Sequence, residues 1–291
     1  MPELRGAFAA AVTPLREGGS RVDEEAVAPL VDFLVGAGID GVLTCGSAGE
    51  GMALSVPERQ TTLQRFVEAS SGRLTVFAHC GAQTTADTVT LAAHAAEAGA
   101  DGVSVIAPPY FPLDGIALHR HFAAAAAACA PLPFFIYAFA ARSGYPVPVE
   151  TILALREETP NLAGLKVSEA PWERFSPYLL EGLSIFVGPE ALIVRGLASG
   201  AVGSISALAS ALPELVVRTV REPSEEASEA VSTARRTLEQ FPMPAALKAT
   251  LRLRDVCLEP DVRAPIRELE PGELAALRTA VEPYLTAGAR P

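Results

Sequence analysis

Lysine is nearly absent from this 291-residue chain: only Lys166 and Lys248 occur, and arginine supplies the rest of the 23 basic residues. Against them stand 34 acidic residues, giving a formal net charge of -11. A field of that sign repels phosphate backbones and anionic headgroups, so neither nucleic acid nor a membrane surface is an expected partner. Small anionic substrates stay open, because one local basic residue dominates a pocket. Cysteine is sparse as well. Cys45, Cys80, Cys129 and Cys257 lack the paired spacing of a zinc site, and the first residues do not read as a charged-then-apolar export signal; a reduced, cytoplasmic protein is expected. No apolar run is long enough to span a bilayer, and the Ala-rich stretch after Phe122 begins beside His119, Arg120 and His121. Dinucleotide and phosphate-loop fingerprints are missing. The histidines do not suggest a metal: His119 and His121, two apart on an expected helix, point to different sides, and His79 and His94 lack neighbouring ligands.

What is present is apolar material, 49% of the chain, enough for a large core. Short apolar runs alternate with longer amphipathic ones, the pattern of strands and crossover helices in a parallel sheet buried on both faces. Eight strands are predicted: Gly6-Ala11, Gly41-Thr44, Leu74-Ala78, Gly102-Ile106, Phe134-Tyr137, Ala163-Val167, Ser184-Val187 and Gly203-Ser206. Helix starts are marked by Ser55 before Val56-Pro57-Glu58, by Thr84 or Thr85 before Ala86-Asp87, and by Val149-Glu150 after Pro148. Ala37-Gly38-Ile39-Asp40-Gly41-Val42 recurs in kind at Ala98-Gly99-Ala100-Asp101-Gly102-Val103, one helix-to-strand loop used twice. Eight strands with intervening helices in roughly 250 residues predict an α/β (β/α)8 TIM barrel. Beyond about Leu212 the pattern is purely helical, broken by prolines, and three or so helices are expected there. The chain thus divides into a catalytic barrel over 1–211 and a C-terminal helical extension over 212–291.

Active sites of such barrels form where the strands end at their C-termini, which directs attention to the residues just past each run. Lys166 sits in the apolar strand Asn161-Leu162-Ala163-Gly164-Leu165-Lys166-Val167-Ser168. Burial favours the neutral form of an amine, and a neutral lysine is suited to attack a carbonyl and form a Schiff base. A strand-end lysine reaching solvent or pairing with an acid is an equal alternative on this evidence. Lys248, in the helical run Ala245 to Leu251, reads as structural. Gly46-Ser47-Ala48-Gly49-Glu50 follows the second strand and can present successive N–H groups to a carboxylate, although a plain turn has the same pattern. Tyr137 ends the fifth strand, placed either to relay protons or simply to pack. Arg142, five residues on, is either a bidentate carboxylate grip or a surface arginine.

Taken together, Gly46-Ser47-Ala48-Gly49-Glu50, Tyr137 with Arg142-Ser143-Gly144, Gly164-Leu165-Lys166, Gly188-Pro189-Glu190, Gly203-Ser204-Ile205-Ser206 and Pro242-Met243-Pro244 resemble, in order and spacing, the dihydrodipicolinate synthase/N-acetylneuraminate lyase family. The resemblance implies a TIM barrel with a helical extension, assembled as a homotetramer built from two dimers. It implies a lyase or synthase in which Lys166 forms an imine with pyruvate or a related 2-oxo acid and Tyr137 relays protons. Ser47 then links Tyr137 to Tyr110, which in the family reaches into the neighbouring subunit's site. The pyruvate carboxylate rests on the Ser47 and Ala48 N–H groups, with the Ile205 main chain beside it, and Arg142 binds the carboxylate of an acceptor aldehyde. The imine is the electron sink, so neither a cofactor nor a metal is implied.

Several positions depart from the family pattern. Ala138 and Ala140 stand where Asn and Pro are frequent, Ala48 replaces a second hydroxyl, and Val167 replaces a common acid. The best-defined candidate activity is that of 4-hydroxy-tetrahydrodipicolinate synthase. The alternatives of the same chemistry are a 2-keto-3-deoxy sugar acid aldolase or dehydratase, an N-acetylneuraminate lyase and a 4-hydroxy-2-oxoglutarate aldolase. A non-catalytic 2-oxo-acid-binding barrel is the alternative of another class; the joint presence of Lys166, Tyr137, Ser47 and Tyr110 speaks against it.

Overall fold

A computed structural model describes residues 4–287. Eight parallel strands close into a barrel: β1 (Gly6–Ala10), β2 (Gly41–Thr44), β3 (Thr75–His79), β4 (Gly102–Ile106), β5 (Phe134–Ala138), β6 (Leu162–Val167), β7 (Ser184–Val187) and β8 (Gly203–Ser206), with β8 paired back onto β1. Each predicted strand is found within one residue at either end. The main helices are α1 (Val27–Gly36), α2 (Val56–Ser70), α3 (Thr85–Glu97), α4 (Gly115–Cys129), α5 (Val149–Glu158), α6 (Ile193–Ala198) and α7 (Pro213–Arg221), followed by α8 (Glu225–Leu238), α9 (Met243–Leu253) and α10 (Pro271–Ala287). Four helices thus lie beyond Leu212 where about three were expected. The first of them follows β8 directly and packs on β1 and β8, as the crossover helices do after the other strands.

Local chemistry explains the boundaries. Ser55 accepts from the Glu58 N–H while the Glu58 carboxylate accepts from the Ser55 N–H at 2.8 Å, a reciprocal cap that starts α2. Thr84, not Thr85, caps α3 by accepting from the Asp87 N–H. The repeated helix-to-strand loop turns at Gly38 and Gly99, both in left-handed backbone at φ +80° and +81°. In each copy the following aspartate reaches the neighbouring strand: Asp40 accepts from the Ala7 N–H and Asp101 from the Val76 N–H, both at 2.8 Å.

The barrel interior is layered. Alternate residues of a strand face the same side, and Phe8, Phe77, Phe135 and Phe186 meet there as a ring cluster with centroids 4.9–6.2 Å apart. Three of these rings lie over glycines on the adjoining strand. A Cβ on Gly41, Gly102 or Gly164 would stand 2.3, 2.8 or 2.6 Å from Phe8, Phe77 or Phe135 respectively. Two residues further along the strands, the next layer contains His79, Tyr137 and Lys166. The phenyl floor therefore closes the barrel from below and leaves the reactive side chains at its C-terminal mouth.

Candidate active site

Lys166 of β6 is paired in register with Tyr137 of β5 and Phe186 of β7, so its side chain rises inside the barrel between those two neighbours. It is 3% exposed, and its Nζ stands 4.2 Å from the centre of the Tyr137 ring. The amine lies over an electron-rich ring face and has no acidic partner among the described residues. The strand-end alternative, a lysine reaching solvent or bound in an ion pair, is not what the structure contains.

A cavity of about 500 Å³ opens above this pair and is lined by Ser47, Ala48, Tyr137, Arg142, Lys166 and Ile205. Six of the seven residues singled out from the sequence are therefore brought together. The seventh, Tyr110, is not: it is 83% exposed, in left-handed backbone at φ +84°, with its ring edge against Phe111 rather than in the cavity.

The Ser47-Ala48 segment turns sharply between Cys45 and Glu50, both in left-handed backbone at φ +54° and +57°. Neither the Ser47 nor the Ala48 N–H donates to a protein acceptor among the described residues, although Ala48 is buried. Adjacent N–H groups without a protein acceptor, on residues that line a cavity, suit a carboxylate. The loop is packed against the barrel so closely that a Cβ on Gly51 would fall 1.7 Å from the Cys45 carbonyl oxygen. Arg142 lies on a short helical turn, Ala140–Ser143, after β5. It makes no ion pair among the described residues, and its guanidinium lies 5.9 Å from the Phe139 ring centre. A cation so placed in a cavity wall is free to bind an anion.

Three further side chains belong to the site without a role assigned from the sequence, although Glu190 falls in the Gly188-Pro189-Glu190 motif. Glu190, buried after β7, accepts from Ser206 Oγ at 2.7 Å and pairs with Arg235 of α8 at 3.4 Å, so the C-terminal helices supply part of the cavity wall. Ser168, two residues past Lys166, also lines it, and a Cβ on Gly188 would lie 2.1 Å from its Oγ. His79, beneath the Ser47 loop, has its Nδ1 3.1 Å from the Cys45 carbonyl oxygen and its ring edge-on to Tyr137 at 5.9 Å. Burial, reinforced by the nearby positive charges of Arg59 and Lys166, drives its pKa well below the usual histidine value, so it is neutral. The same Nδ1 lies 3.4 Å from Arg59 Nη2, so a protonated Nδ1 would serve Cys45 and an unprotonated one would serve Arg59. Among the described residues no group of three or more His, Cys, Asp or Glu side chains converges in the manner of a metal site, and no helix is long and apolar enough to cross a membrane.

Known proteins share this architecture. The chain is 34% identical over 296 residues to the N-acetylneuraminate lyase of Rhizobium meliloti, covering 97% of this chain and 96% of that protein. It is 30% identical over 291 residues to the 4-hydroxy-tetrahydrodipicolinate synthase of Aquifex aeolicus, covering 97% and 98%. Among solved structures, a catalytic lysine mutant of the sialic acid aldolase of Ruminococcus gnavus superposes with a TM-score of 0.91 at 26% identity over 99% of both chains. The match to the dihydrodipicolinate synthetase family runs over residues 3–283. The chain belongs to that family of lyases and synthases, whose chemistry passes through a Schiff base with pyruvate.

Proposed function

We propose that Lys166 is the Schiff-base residue of a pyruvate-dependent aldolase or synthase. The observation that carries this is the in-register pair on β5 and β6, which holds the Lys166 amine over the Tyr137 ring at the closed floor of the cavity. Unprotonated Lys166 attacks the C2 carbonyl of pyruvate; Tyr137 hands a proton to the departing oxygen, and water leaves to give the iminium. The positive nitrogen acidifies the adjacent methyl, which loses a proton and becomes the enamine carbon. That carbon adds to an aldehyde, the carbonyl oxygen takes up a proton, and hydrolysis releases the product; cleavage runs the same steps backwards. The pyruvate carboxylate rests on the Ser47 and Ala48 N–H groups beside Ile205. The imine itself is the electron sink, so the residues on hand complete the cycle without a cofactor.

Arg142, which makes no ion pair among the described residues, favours an acceptor bearing a carboxylate, which makes 4-hydroxy-tetrahydrodipicolinate synthase the leading specific activity. A second reading, a lyase or dehydratase acting on 2-keto-3-deoxy sugar acids, sialic acid or 4-hydroxy-2-oxoglutarate, draws support from the Ser168 hydroxyl and Glu190 carboxylate in the same cavity. Barrel 1–211 and extension 212–291 act as one catalytic unit in a cytoplasmic homotetramer, a dimer of dimers, in which the exposed Tyr110 enters a neighbouring site. Residues 1–3 and 288–291 of that division lie outside the described residues.

Intact-mass spectrometry after borohydride reduction with pyruvate tests the central step. The wild type gains a pyruvyl mass and Lys166→Ala does not. An adduct on the Lys166→Ala variant, or none on the wild type where an established relative is trapped, overturns the assignment.

A further inference from the structure

The two lysines of this chain are separate in sequence and in chemistry, and the second is as buried as the first. Lys248 sits on α9, in the helical extension, with a side chain that is 0% exposed. Its Nζ lies 2.6 Å from Glu50 Oε1, also fully buried, and donates to the Asp261 carbonyl oxygen at 2.6 Å. The other Glu50 oxygen accepts from the Arg263 N–H at 2.6 Å. Glu50 is the last residue of the Gly46-Ser47-Ala48-Gly49-Glu50 segment, and its own N–H donates to the Ser47 carbonyl oxygen at 3.3 Å. The turn that carries Ser47 and Ala48 is thus fastened at its far end to the C-terminal extension through a buried ion pair and the Arg263 N–H.

The turn needs such a fastening. Cys45 and Glu50 both hold left-handed backbone, a conformation that side-chain-bearing residues adopt only when their surroundings impose it. The backbone of the turn is also held, since Thr13 Oγ of the barrel donates to the Gly49 carbonyl oxygen at 2.7 Å and the Gly51 N–H donates to the Gly46 carbonyl oxygen at 3.1 Å, but neither contact engages the Glu50 side chain. Burying two charges is costly unless geometry is good, and replacing the pair by apolar groups costs folding little in general. The retained pair therefore calls for a reason other than stability.

We propose that Glu50 and Lys248 are a positioning pair that sets the Ser47-Ala48 cradle for the substrate carboxylate, so that the helical extension tunes capture of the 2-oxo acid without touching it. This rests on the Schiff-base reading above. It separates the roles of the two halves of the chain: the barrel supplies the amine and phenol, and the extension sets the register of the anion site. Loss of the pair weakens the ground-state hold on pyruvate and leaves the later carbon–carbon step largely intact, since Lys166 and Tyr137 stand on other strands.

The test is the double variant Glu50→Gln/Lys248→Met, which removes both charges together and strands neither. The pyruvate concentration giving half-maximal borohydride-trapped adduct is measured beside KM and kcat, with circular dichroism to establish the fold. A tenfold or greater rise in half-saturation and in KM for pyruvate is expected, with kcat at saturating pyruvate within about threefold of wild type. Leu277→Ala, a core truncation on α10 that leaves Glu50 and Lys248 in place, lowers the melting temperature without moving half-saturation. A folded double variant with wild-type half-saturation overturns the proposal, as does an equal rise in Leu277→Ala. Should the double variant not fold, Lys248→Arg replaces it, because a guanidinium cannot reproduce both 2.6 Å contacts of a single Nζ; unchanged half-saturation there is equally fatal. Failure of the wild type to trap pyruvate is a different result, which removes the Schiff-base reading itself.

Discussion

Single residues in this barrel divide by whether their charge is answered by protein. Glu190, Glu50 and Lys248 have partners, whereas Arg142 has none among the described residues and faces the cavity. An arginine in that position forms a charge-assisted, bidentate contact with a carboxylate, and losing one costs about 1.5–3 kcal/mol, or roughly 10- to 100-fold in affinity. Arg142→Ala is accordingly expected to raise KM for a carboxylate-bearing aldehyde by that factor while leaving the borohydride-trapped pyruvyl adduct intact; steady-state kinetics with pyruvate saturating reads it directly. His121 illustrates the opposite case, a titratable group buried without compensation. Its Nδ1 lies 2.9 Å from Thr85 Oγ, and burial pushes its pKa down to about 4. An unfolded histidine takes its proton near pH 6.5, so between about pH 6.5 and 4 the unfolded chain binds more protons and stability falls as pH falls. The loss is on the order of 2 kcal/mol across that window, and His121→Gln should flatten the slope of denaturation midpoint against pH. A variant retaining the full slope would assign the acid sensitivity elsewhere. Lys166, Tyr137, Ser47, Ala48 and Arg142 stood out because each ends or follows a strand, where this architecture concentrates chemistry, whereas Ile205 was implied by the family resemblance alone; the structure brings all six to one cavity. Arg235 and Lys248 did not stand out, since a helical residue that reaches a distant loop leaves no periodic trace in the sequence.

Among elements, the strands were readable to within a residue because parallel strands buried on both faces are short, uninterrupted apolar runs. Helix starts followed from their caps, with Ser55 and Glu58 serving each other's backbone. The hairpin of Leu15–Arg16 with Arg21–Val22 escaped notice: two-residue strands carry no periodicity. So did the short turns at Trp172–Phe175 and Ser176–Tyr178, whose form depends on tertiary packing. The layer of phenyl rings over glycines is an element-scale device, since each ring occupies the volume that a side chain on the next strand would take. Gly164→Ala tests it most sharply, because the added methyl meets the Ser184 carbonyl oxygen at 2.0 Å as well as Phe135 at 2.6 Å. Backbone cannot yield as a flexible side chain does, so a loss of about 3 kcal/mol is expected by chemical denaturation. Lys166 is two residues along the same strand, and pyruvate trapping should decline in parallel. A variant as stable as wild type would mean that β6 and β7 can separate without opening the barrel.

At the scale of the whole molecule, one chain holds every proposed site residue except Tyr110. That residue stands 83% exposed beside Phe111, itself 64% exposed, and follows Pro109, which with Met52 and Ile266 walls a second cavity of about 510 Å³ that shares Ser47 and Arg142 with the first. Exposed aromatic pairs of this kind are stabilised when another surface covers them. If Tyr110 completes the relay of a neighbouring copy, then each active site takes Lys166 and Tyr137 from one chain and Tyr110 from another. Mixing inactive variants distinguishes this from a relay within one chain. Lys166→Ala lacks the amine, and Tyr110→Phe keeps the ring but lacks the hydroxyl, so homomeric Lys166→Ala is inactive and homomeric Tyr110→Phe turns over slowly while still trapping pyruvate. In a dimer containing one chain of each, one site receives both defects and the other receives none. Co-expressed and co-purified mixed dimers should therefore recover close to half the wild-type kcat per Lys166-bearing, Tyr110→Phe chain-containing dimer, although neither parent supplies it. A relay confined to one chain gives only the average of the two parents. Recovery above that average would establish that assembly is part of the active site rather than an accompaniment to it.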